Sequence, residues 1–188
     1  MSKLSYKKYS IEKLITYAKL GDQKALEMLI RKIQGEVYTV FSHLVYKKED
    51  ISDLTQETLI RLAKSLNSLK EPKSFKAWLN QIINNVFNDY LRKKTSNFVE
   101  IDEKKLHEIK DKITCEPGQR CLFAELEKLV RVALLALPEN LRITLVLREY
   151  EGLSYEDISK ITNTAIGTVK SRLARARIKL QEELKEFI

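Results

Sequence analysis

The chain has 188 residues and a mass of 21.9 kDa, which is enough for one domain of ordinary size or two small ones. Its 34 Lys and Arg residues exceed its 26 Asp and Glu residues, so the formal net charge is +8 and a polyanion is the expected partner, nucleic acid before a membrane surface. The apolar fraction of 44% excludes global disorder, and the presence of only 5 Gly and 3 Pro favours a mostly helical chain over a β-sandwich or barrel.

Membrane and secreted classes are not favoured. No run of about 18 apolar residues is present, so no transmembrane helix is predicted. The first six residues lack the apolar stretch of a signal peptide. Two cysteines, Cys115 and Cys121, are too few for a disulfide framework, so we expect a cytoplasmic protein in a reducing setting.

The first helices are marked by their capping residues. Ser10 can cap a helix that runs to about Leu20, Gly21 suits its C-terminal end, and Asp22 can cap the next helix. The second helix carries apolar residues at spacings of three and four, namely Ala25, Leu26, Leu29, Ile30, Ile33, Val37 and Val40.

A third helix is predicted from about Asp50, with two different faces. The core face contains Leu54, Leu62, Ala63 and Leu66. The opposite face contains Asp53, Gln56, Glu57, Ile60 and Lys64. An outward Ile60 among polar residues indicates either a docking surface or a solvated face with one stray apolar residue.

A fourth helix, from about Ser74, has a wide apolar face and a face rich in amides. The apolar residues are Trp78, Leu79, Ile82, Ile83, Val86, Phe87, Tyr90 and Leu91. The polar residues are Gln81, Asn84, Asn85, Asn88, Asp89 and Arg92, followed by Lys93 and Lys94. Because short amides are mediocre helix formers but can bind base edges, this face is a plausible nucleic-acid surface. Trp78 and Tyr90 belong either to the core or to a platform on which bases stack.

The segment after this helix loses the apolar periodicity. Residues 95–118 carry a net charge of −2 and end at Glu116-Pro117-Gly118, which is typical of a linker. We therefore predict an all-α protein with an N-terminal helical domain over 1–94, a flexible linker over 95–118 and a C-terminal domain over 119–188.

The C-terminal domain has the pattern of a helix-turn-helix. A helix opened by Leu137-Pro138-Glu139 ends at Gly152, and Ser154-Tyr155-Glu156-Asp157 then matches a capping box whose Ser hydroxyl and Asp carboxylate would each bind a backbone amide. Ile158 and Ile161 face inward, and Thr162-Asn163-Thr164 makes the turn.

The last helix, from about Ala165, separates apolar from basic residues. The core face is Ile166, Val169, Leu173, Ala176 and Leu180. The other residues include Thr168, Lys170, Ser171, Arg172, Arg175, Arg177 and Lys179, and residues 165–180 contain five basic residues and no acid. This pattern suits a helix in the major groove, where Arg172 and Arg175 would bind guanine and Lys170, Arg177 and Lys179 would contact phosphates.

The two sets of motifs together resemble the extracytoplasmic-function (ECF) group of bacterial sigma factors. The stretch from Leu137 through Glu151-Gly152-Leu153-Ser154 to Arg177 is similar to sigma region 4. Gly21–Leu26, Asp50–Glu57 and Phe75–Leu79 through Asn85, Asp89 and Arg92-Lys93 are similar to sigma region 2, which forms a four-helix bundle. The resemblance covers the chain except residues 1–9 and the linker.

The resemblance implies specific partners and residues. Core RNA polymerase would be bound through its clamp coiled coil and its flap, with Asp53, Gln56, Glu57 and Ile60 on the coiled coil. The −10 promoter element would be engaged by the loop 69–74 and by Lys73, Asn84, Asn85, Asn88, Arg92 and Lys93, with Asn85 foremost for a flipped base. The −35 element would be engaged by Arg148, Thr168, Lys170, Ser171, Arg172, Arg175, Arg177 and Lys179. An anti-sigma factor is a further expected partner.

Two other classes of function would make different demands on the chain. A helix-turn-helix regulator that acts without replacing the sigma subunit differs in not requiring core polymerase. An enzyme is not favoured, because His43 and His107 are far apart and no phosphate-binding loop or paired-carboxylate motif is present. No cofactor or metal is predicted, since His107, Cys115 and Cys121 lack standard ligand spacing, although a thiol redox switch stays open.

Overall fold

The described part of the chain is built of α-helices. The computed structural model describes Tyr6, residues 8–96 and residues 122–185, and among these residues there are eight α-helices and no strand. In chain order the helices are α1 (Ile11–Lys19), α2 (Gln23–Leu44), α3 (Lys48–Ser65), α4 (Phe75–Ser96), α5 (Leu122–Ala136), α6 (Glu139–Glu149), α7 (Tyr155–Thr162) and α8 (Ile166–Lys185). The predicted all-α class is confirmed.

The junction between α1 and α2 follows from three residues of the sequence. The Ser10 hydroxyl accepts a hydrogen bond from the Lys13 amide at 3.3 Å, which caps α1. Gly21 has a φ of +92°, a backbone conformation that costs glycine little. Asp22 Oδ1 then accepts from the amides of Lys24 at 2.9 Å and Ala25 at 3.1 Å, so it caps α2 as predicted.

The N-terminal helices enclose an apolar core. Its fully buried members include Leu14, Ile15, Leu29, Ile33, Phe41, Leu62, Leu79, Ile83 and Phe87. Two short 3₁₀ turns, Leu66–Ser68 and Pro72–Ser74, connect α3 to α4 and pack against α1. Ala63, Trp78, Tyr90 and Leu91, assigned to core faces or left between core and surface, are all half-buried.

The C-terminal helices form a second core around α8. This helix packs on α5, α6 and α7, and it buries Val169, Leu173 and Ala176. Leu141, Leu145 and Leu147 are also buried, and so are Ile158 and Ile161, which the sequence predicted to face inward. Arg142 is only 8% exposed and donates from Nη2 to the Leu137 carbonyl at 2.8 Å, which satisfies a backbone acceptor at the turn between α5 and α6.

Two compact units divide the chain. One comprises the residues up to Ser42 together with Lys47–Tyr90, and the other comprises His43–Tyr46 and the residues from Leu91 onward. The domain limits drawn from the sequence at 94 and 119 stay predictions. Most of the predicted linker, including His107 and Cys115, lies outside the described residues, and so does Cys121.

Candidate nucleic-acid and polymerase interfaces

The helix-turn-helix is fixed by local hydrogen bonds. Ser154 Oγ accepts from the Asp157 amide at 3.0 Å and donates to Asp157 Oδ2 at 2.7 Å. The Asp157 carboxylate therefore binds the capping hydroxyl, where the capping-box expectation gave it a backbone amide. Asn163 ends α7 with a φ of 50°, a left-handed conformation that Asn tolerates better than most residues. The Ser159 hydroxyl donates to the Thr164 carbonyl at 2.6 Å across this turn.

The face of α8 opposite its buried residues is basic. Lys170, Ser171, Arg175, Arg177 and Lys179 are exposed, whereas Thr168 and Arg172 are half-buried. No acid occurs from residue 165 to 180, so every charged side chain on this stretch of α8 is basic, although the apolar residues Ala174 and Ile178 are exposed among them. Ile166 is 39% exposed, so its assignment to the core was wrong; it lies in the first turn, beyond the part of α8 from Val169 to Ala176 that the other helices cover.

Three arginines of this region contact groups of the protein itself. Arg148 Nη1 donates to the Leu153 carbonyl at 2.7 Å, and its guanidinium lies 4.9 Å from the centre of the Tyr155 ring. Arg175 Nε donates to the Ser171 carbonyl at 3.3 Å. These contacts orient the side chains before any DNA is bound.

The third arginine, Arg177, pairs with an acid of α6. Its Nη2 lies 2.7 Å from Glu149 Oε1, and this hydrogen bond raises the pKa of the Arg177 guanidinium. The expectation of a phosphate contact did not include this partner, which lies 28 residues earlier in the chain.

The amides of α4 are divided between two faces. Asn85 and Asn88 are exposed, and Gln81 Nε2 donates to Asn85 Oδ1 at 3.2 Å. Asn84 is only 4% exposed, so placing it beside Asn85 on a DNA-binding face was wrong. Positions 80, 84 and 87 lie one turn apart on the buried side, and Asn80 and Phe87 are buried with it. Gln81, Asn85, Asn88 and Arg92 form the outward row.

The cations predicted near the −10 element are at the surface. Lys73 lies in the second 3₁₀ turn, and Arg92 and Lys93 lie near the end of α4. All three are exposed. Lysine and arginine in the last turn also suit the negative end of the helix dipole.

The predicted docking face of α3 is solvent-accessible. Asp53 and Gln56 are exposed, Glu57 is half-buried, and Ile60 has 48% of its surface exposed. The buried side of the same helix holds Leu54, Thr55, Thr58 and Leu62. The structure therefore brings the four predicted residues to one surface.

An arginine that the sequence did not single out lies at the edge of this surface. Arg61 Nε donates to Glu57 Oε1 at 2.7 Å and its Nη1 donates to Asp89 Oδ2 of α4 at 2.7 Å. These two carboxylates, Glu57 first, raise the pKa of the Arg61 guanidinium. The spacing of Glu57 and Arg61 is a visible signal for the first contact, but nothing local indicates the second.

Comparisons with known proteins agree with this arrangement. Residues 29–97 match the family model described as Sigma-70 region 2, and residues 127–180 match Sigma-70, region 4. An ECF RNA polymerase sigma-E factor of Haemophilus influenzae is 31% identical over 181 residues, which cover 93% of this chain and 95% of that protein. The chain belongs to the ECF sigma factor family.

Further relatives extend the agreement. An ECF RNA polymerase sigma-E factor of Escherichia coli K12 is 33% identical over 181 residues, covering 93% of this chain and 94% of that protein. The solved sigma factor RpoE of Bartonella quintana, in complex with the anti-sigma factor NepR, has a TM-score of 0.63 and 28% identity, with 86% of this chain and 98% of that chain covered. This sigma factor thus acts in transcription initiation.

Both matched regions contain the surfaces described above. The region 2 match includes α3, α4 and the amide row, and the region 4 match includes α6, α7 and the basic face of α8. No helix within 8–96 or 122–185 is long and apolar enough to cross a membrane.

Proposed function

We propose that α8 enters the major groove of the −35 element. The observation that supports this most strongly is that α8 carries five basic residues and no acid from residue 165 to 180, while Val169, Leu173 and Ala176 are buried against the other helices. Residues near the start of a recognition helix contact bases, so Thr168, Ser171 and Arg172 are the foremost candidates for base contacts, and Lys170 beside them would bind a phosphate. Arg175 and Arg172 suit guanine, whose O6 and N7 accept two hydrogen bonds from one guanidinium.

The remaining cations of this domain would bind phosphates. Arg177 and Lys179 lie further along α8, and Arg148 lies at the end of α6. Phosphate contacts position a protein on the duplex and make its affinity fall with salt.

The −10 element would be held by α4 and the turn before it. Asn85 and Asn88 offer neutral amides that can bind base edges, with Asn85 as the contact to a flipped base. Lys73, Arg92 and Lys93 would bind the backbone of the opened strand. Opening is then favoured because the single strand binds better than the duplex.

The face of Asp53, Gln56, Glu57 and Ile60 would dock on the clamp coiled coil of core RNA polymerase. An exposed isoleucine surrounded by polar side chains supports a protein contact with an apolar centre and a polar rim. The C-terminal domain would contact the flap. The relative solved with an anti-sigma factor supports an anti-sigma partner for this chain as well. The protein itself would catalyse no bond chemistry, and its place of action would be the cytoplasm.

Run-off transcription with purified core polymerase tests this function. Core plus this chain should give promoter-specific transcripts from a genomic library, and neither component alone should do so. The 5′ ends of those transcripts define the two promoter elements. A chain that binds DNA but yields no transcript with core polymerase would be a regulator, and the proposal would be refuted.

The residue assignments need a second comparison. Replacing Arg172 and Arg175 by Ala should abolish dependence on the −35 sequence. Arg31, an exposed arginine of α2 paired with Glu27 in its own helix, provides the matched control, and its Ala variant should transcribe normally.

A further inference from the structure

Arg61 joins two helices through the two edges of one guanidinium. Nε lies 2.7 Å from Glu57 Oε1 in α3, and Nη1 lies 2.7 Å from Asp89 Oδ2 in α4. The group is partly shielded, since 37% of the Arg61 side chain and 29% of the Asp89 side chain are exposed. A planar guanidinium bound along two edges fixes direction as well as distance, which an ammonium does not.

A second hydrogen bond joins the same helices at another point. The Tyr90 hydroxyl donates to Asp50 Oδ2 at 2.8 Å. Asp89 and Tyr90 are neighbours on α4, but their partners Arg61 and Asp50 are about 16 Å apart along α3 by the rise of a helix. Because their partners lie so far apart on α3, the two contacts together fix where residues 89 and 90 of α4 lie along α3.

The helices that Arg61 joins carry the two surfaces proposed for region 2. Glu57 belongs to the docking face of α3, which Ile60 continues. Asp89 follows Asn88 directly and lies one turn after Asn85 on α4. A change in the contact between α3 and α4 would therefore move the DNA-binding amides relative to polymerase.

We infer that Arg61 is a positioning residue, which holds the amide row of α4 in register with the docking face of α3. This inference rests on the proposed functions of those two faces. It assigns Arg61 an effect on binding of the −10 strand that acts through Asp89 and the placement of α4.

The alternative is that the ion pairs of Arg61 stabilise the fold and have no effect on DNA binding. A pair in α2 provides the matched control for this alternative. Arg31 Nη2 lies 2.7 Å from Glu27 Oε1, with the same spacing of four residues as Arg61 and Glu57. This pair lies within one helix. Arg31→Ala therefore removes the same charge and the same type of intrahelical contact as Arg61→Ala while leaving the link between α3 and α4 intact.

The test uses holoenzyme reconstituted from core polymerase and full-length chain, with Arg61→Ala, Asp89→Asn, the double variant and Arg31→Ala. At saturating core, the readouts are affinity for a single-stranded −10 oligonucleotide and affinity for a −35 duplex. Asp89→Asn keeps the shape of the side chain while removing its charge, so it tests the same ion pair if Arg61→Ala does not fold. We expect each single variant to weaken −10 binding about three- to tenfold. Affinity for the −35 duplex should be unchanged.

The double variant decides whether the two residues act as one unit. Its loss should be no larger than that of the stronger single variant, because both changes break the same link. The inference would be overturned if the affinity losses of the two single variants multiplied in the double variant. It would also be overturned if the variants changed the melting temperature without changing −10 binding. Wild-type holoenzyme that fails to bind the −10 strand would refute the proposed function and this inference with it. If wild-type holoenzyme binds the −10 strand and the Arg61→Ala holoenzyme binds it equally well, this inference is refuted and the proposed function stands.

Discussion

Two adjacent asparagines of α4 should respond in opposite ways to the same substitution. Asn84 is 4% exposed, whereas Asn85 is exposed and accepts a hydrogen bond from Gln81. Asn84→Ala removes a buried amide, and Asn85→Ala removes an amide from the proposed DNA-binding row. The pair separates stability from recognition with one chemical change.

The expected magnitudes follow from burial. Removing one partner of a buried polar contact costs about 1–3 kcal/mol, so Asn84→Ala should lower the free energy of unfolding by that amount. A surface substitution usually stays within about 0.5 kcal/mol, so Asn85→Ala should leave stability nearly unchanged. Losing one amide hydrogen bond to a base, at about 0.5–1.5 kcal/mol, would weaken −10 binding by about two- to tenfold in Asn85→Ala.

Fluorescence and DNA binding measure the two effects separately. The single tryptophan of the chain, Trp78, lies on α4, so its emission during urea unfolding reports the unit that contains both asparagines. Holoenzyme binding to a −10 oligonucleotide gives the second quantity. If Asn84→Ala unfolds like wild type and loses −10 affinity, while Asn85→Ala does the reverse, the assignment of the two faces is wrong.

Three further predictions concern the capping and charge contacts. Glu149→Gln should raise holoenzyme affinity for a −35 duplex about 1.4- to fivefold at low salt, because Arg177 no longer pairs with an exposed acid at about 0.2–1 kcal/mol; equal or weaker binding counts against a phosphate contact by Arg177. Ser154→Ala should lower the free energy of unfolding by about 1 kcal/mol in urea titrations followed by circular dichroism, whereas Ser154→Thr keeps the capping hydroxyl and should lose much less. The Tyr6 hydroxyl donates to Asp22 Oδ2 at 2.7 Å and lowers the pKa of that carboxyl. The lowered pKa stabilises the folded protein at any pH above the pKa of Asp22 in the unfolded chain, and this stabilisation is lost as the pH falls through the pKa of Asp22 in the folded protein. Tyr6→Phe should therefore melt below wild type at pH 7, with a difference that shrinks below about pH 4; a constant difference would exclude the linkage.

Local signals predicted the fold well. Ser10, Gly21 and Asp22 define the α1–α2 junction through groups no more than three residues away, and such contacts form wherever the helix forms. Ser154 and Asn163 define the helix-turn-helix in the same way. In α7 the spacing of three predicted the two buried residues, Ile158 and Ile161, whereas in α6 every residue from 141 to 147 is buried, which no spacing indicates.

Long-range contacts and the borders between helix faces were not predictable. Successive residues of a helix are 100° apart, so the edge of the buried face can pass between two neighbours. Asn84 lies on the buried side of that edge and Asn85 on the outer side, although both are asparagines. Arg61 meets Asp89, and Arg177 meets Glu149, each across 28 residues. Only the packing of one helix on another determines such pairs, and packing is not visible in the order of residues.

The division of α4 into buried and outward amides limits how this protein can be re-engineered for new promoters. A library that varies all the asparagines would mix positions of the core with positions at the surface, and most of its members would fail to fold. Variation confined to the outward row of Gln81, Asn85, Asn88 and Arg92 leaves Asn80 and Asn84 in place. Stability then stays nearly constant across the library, so differences in transcription would reflect contacts with the −10 element and not differences in folding.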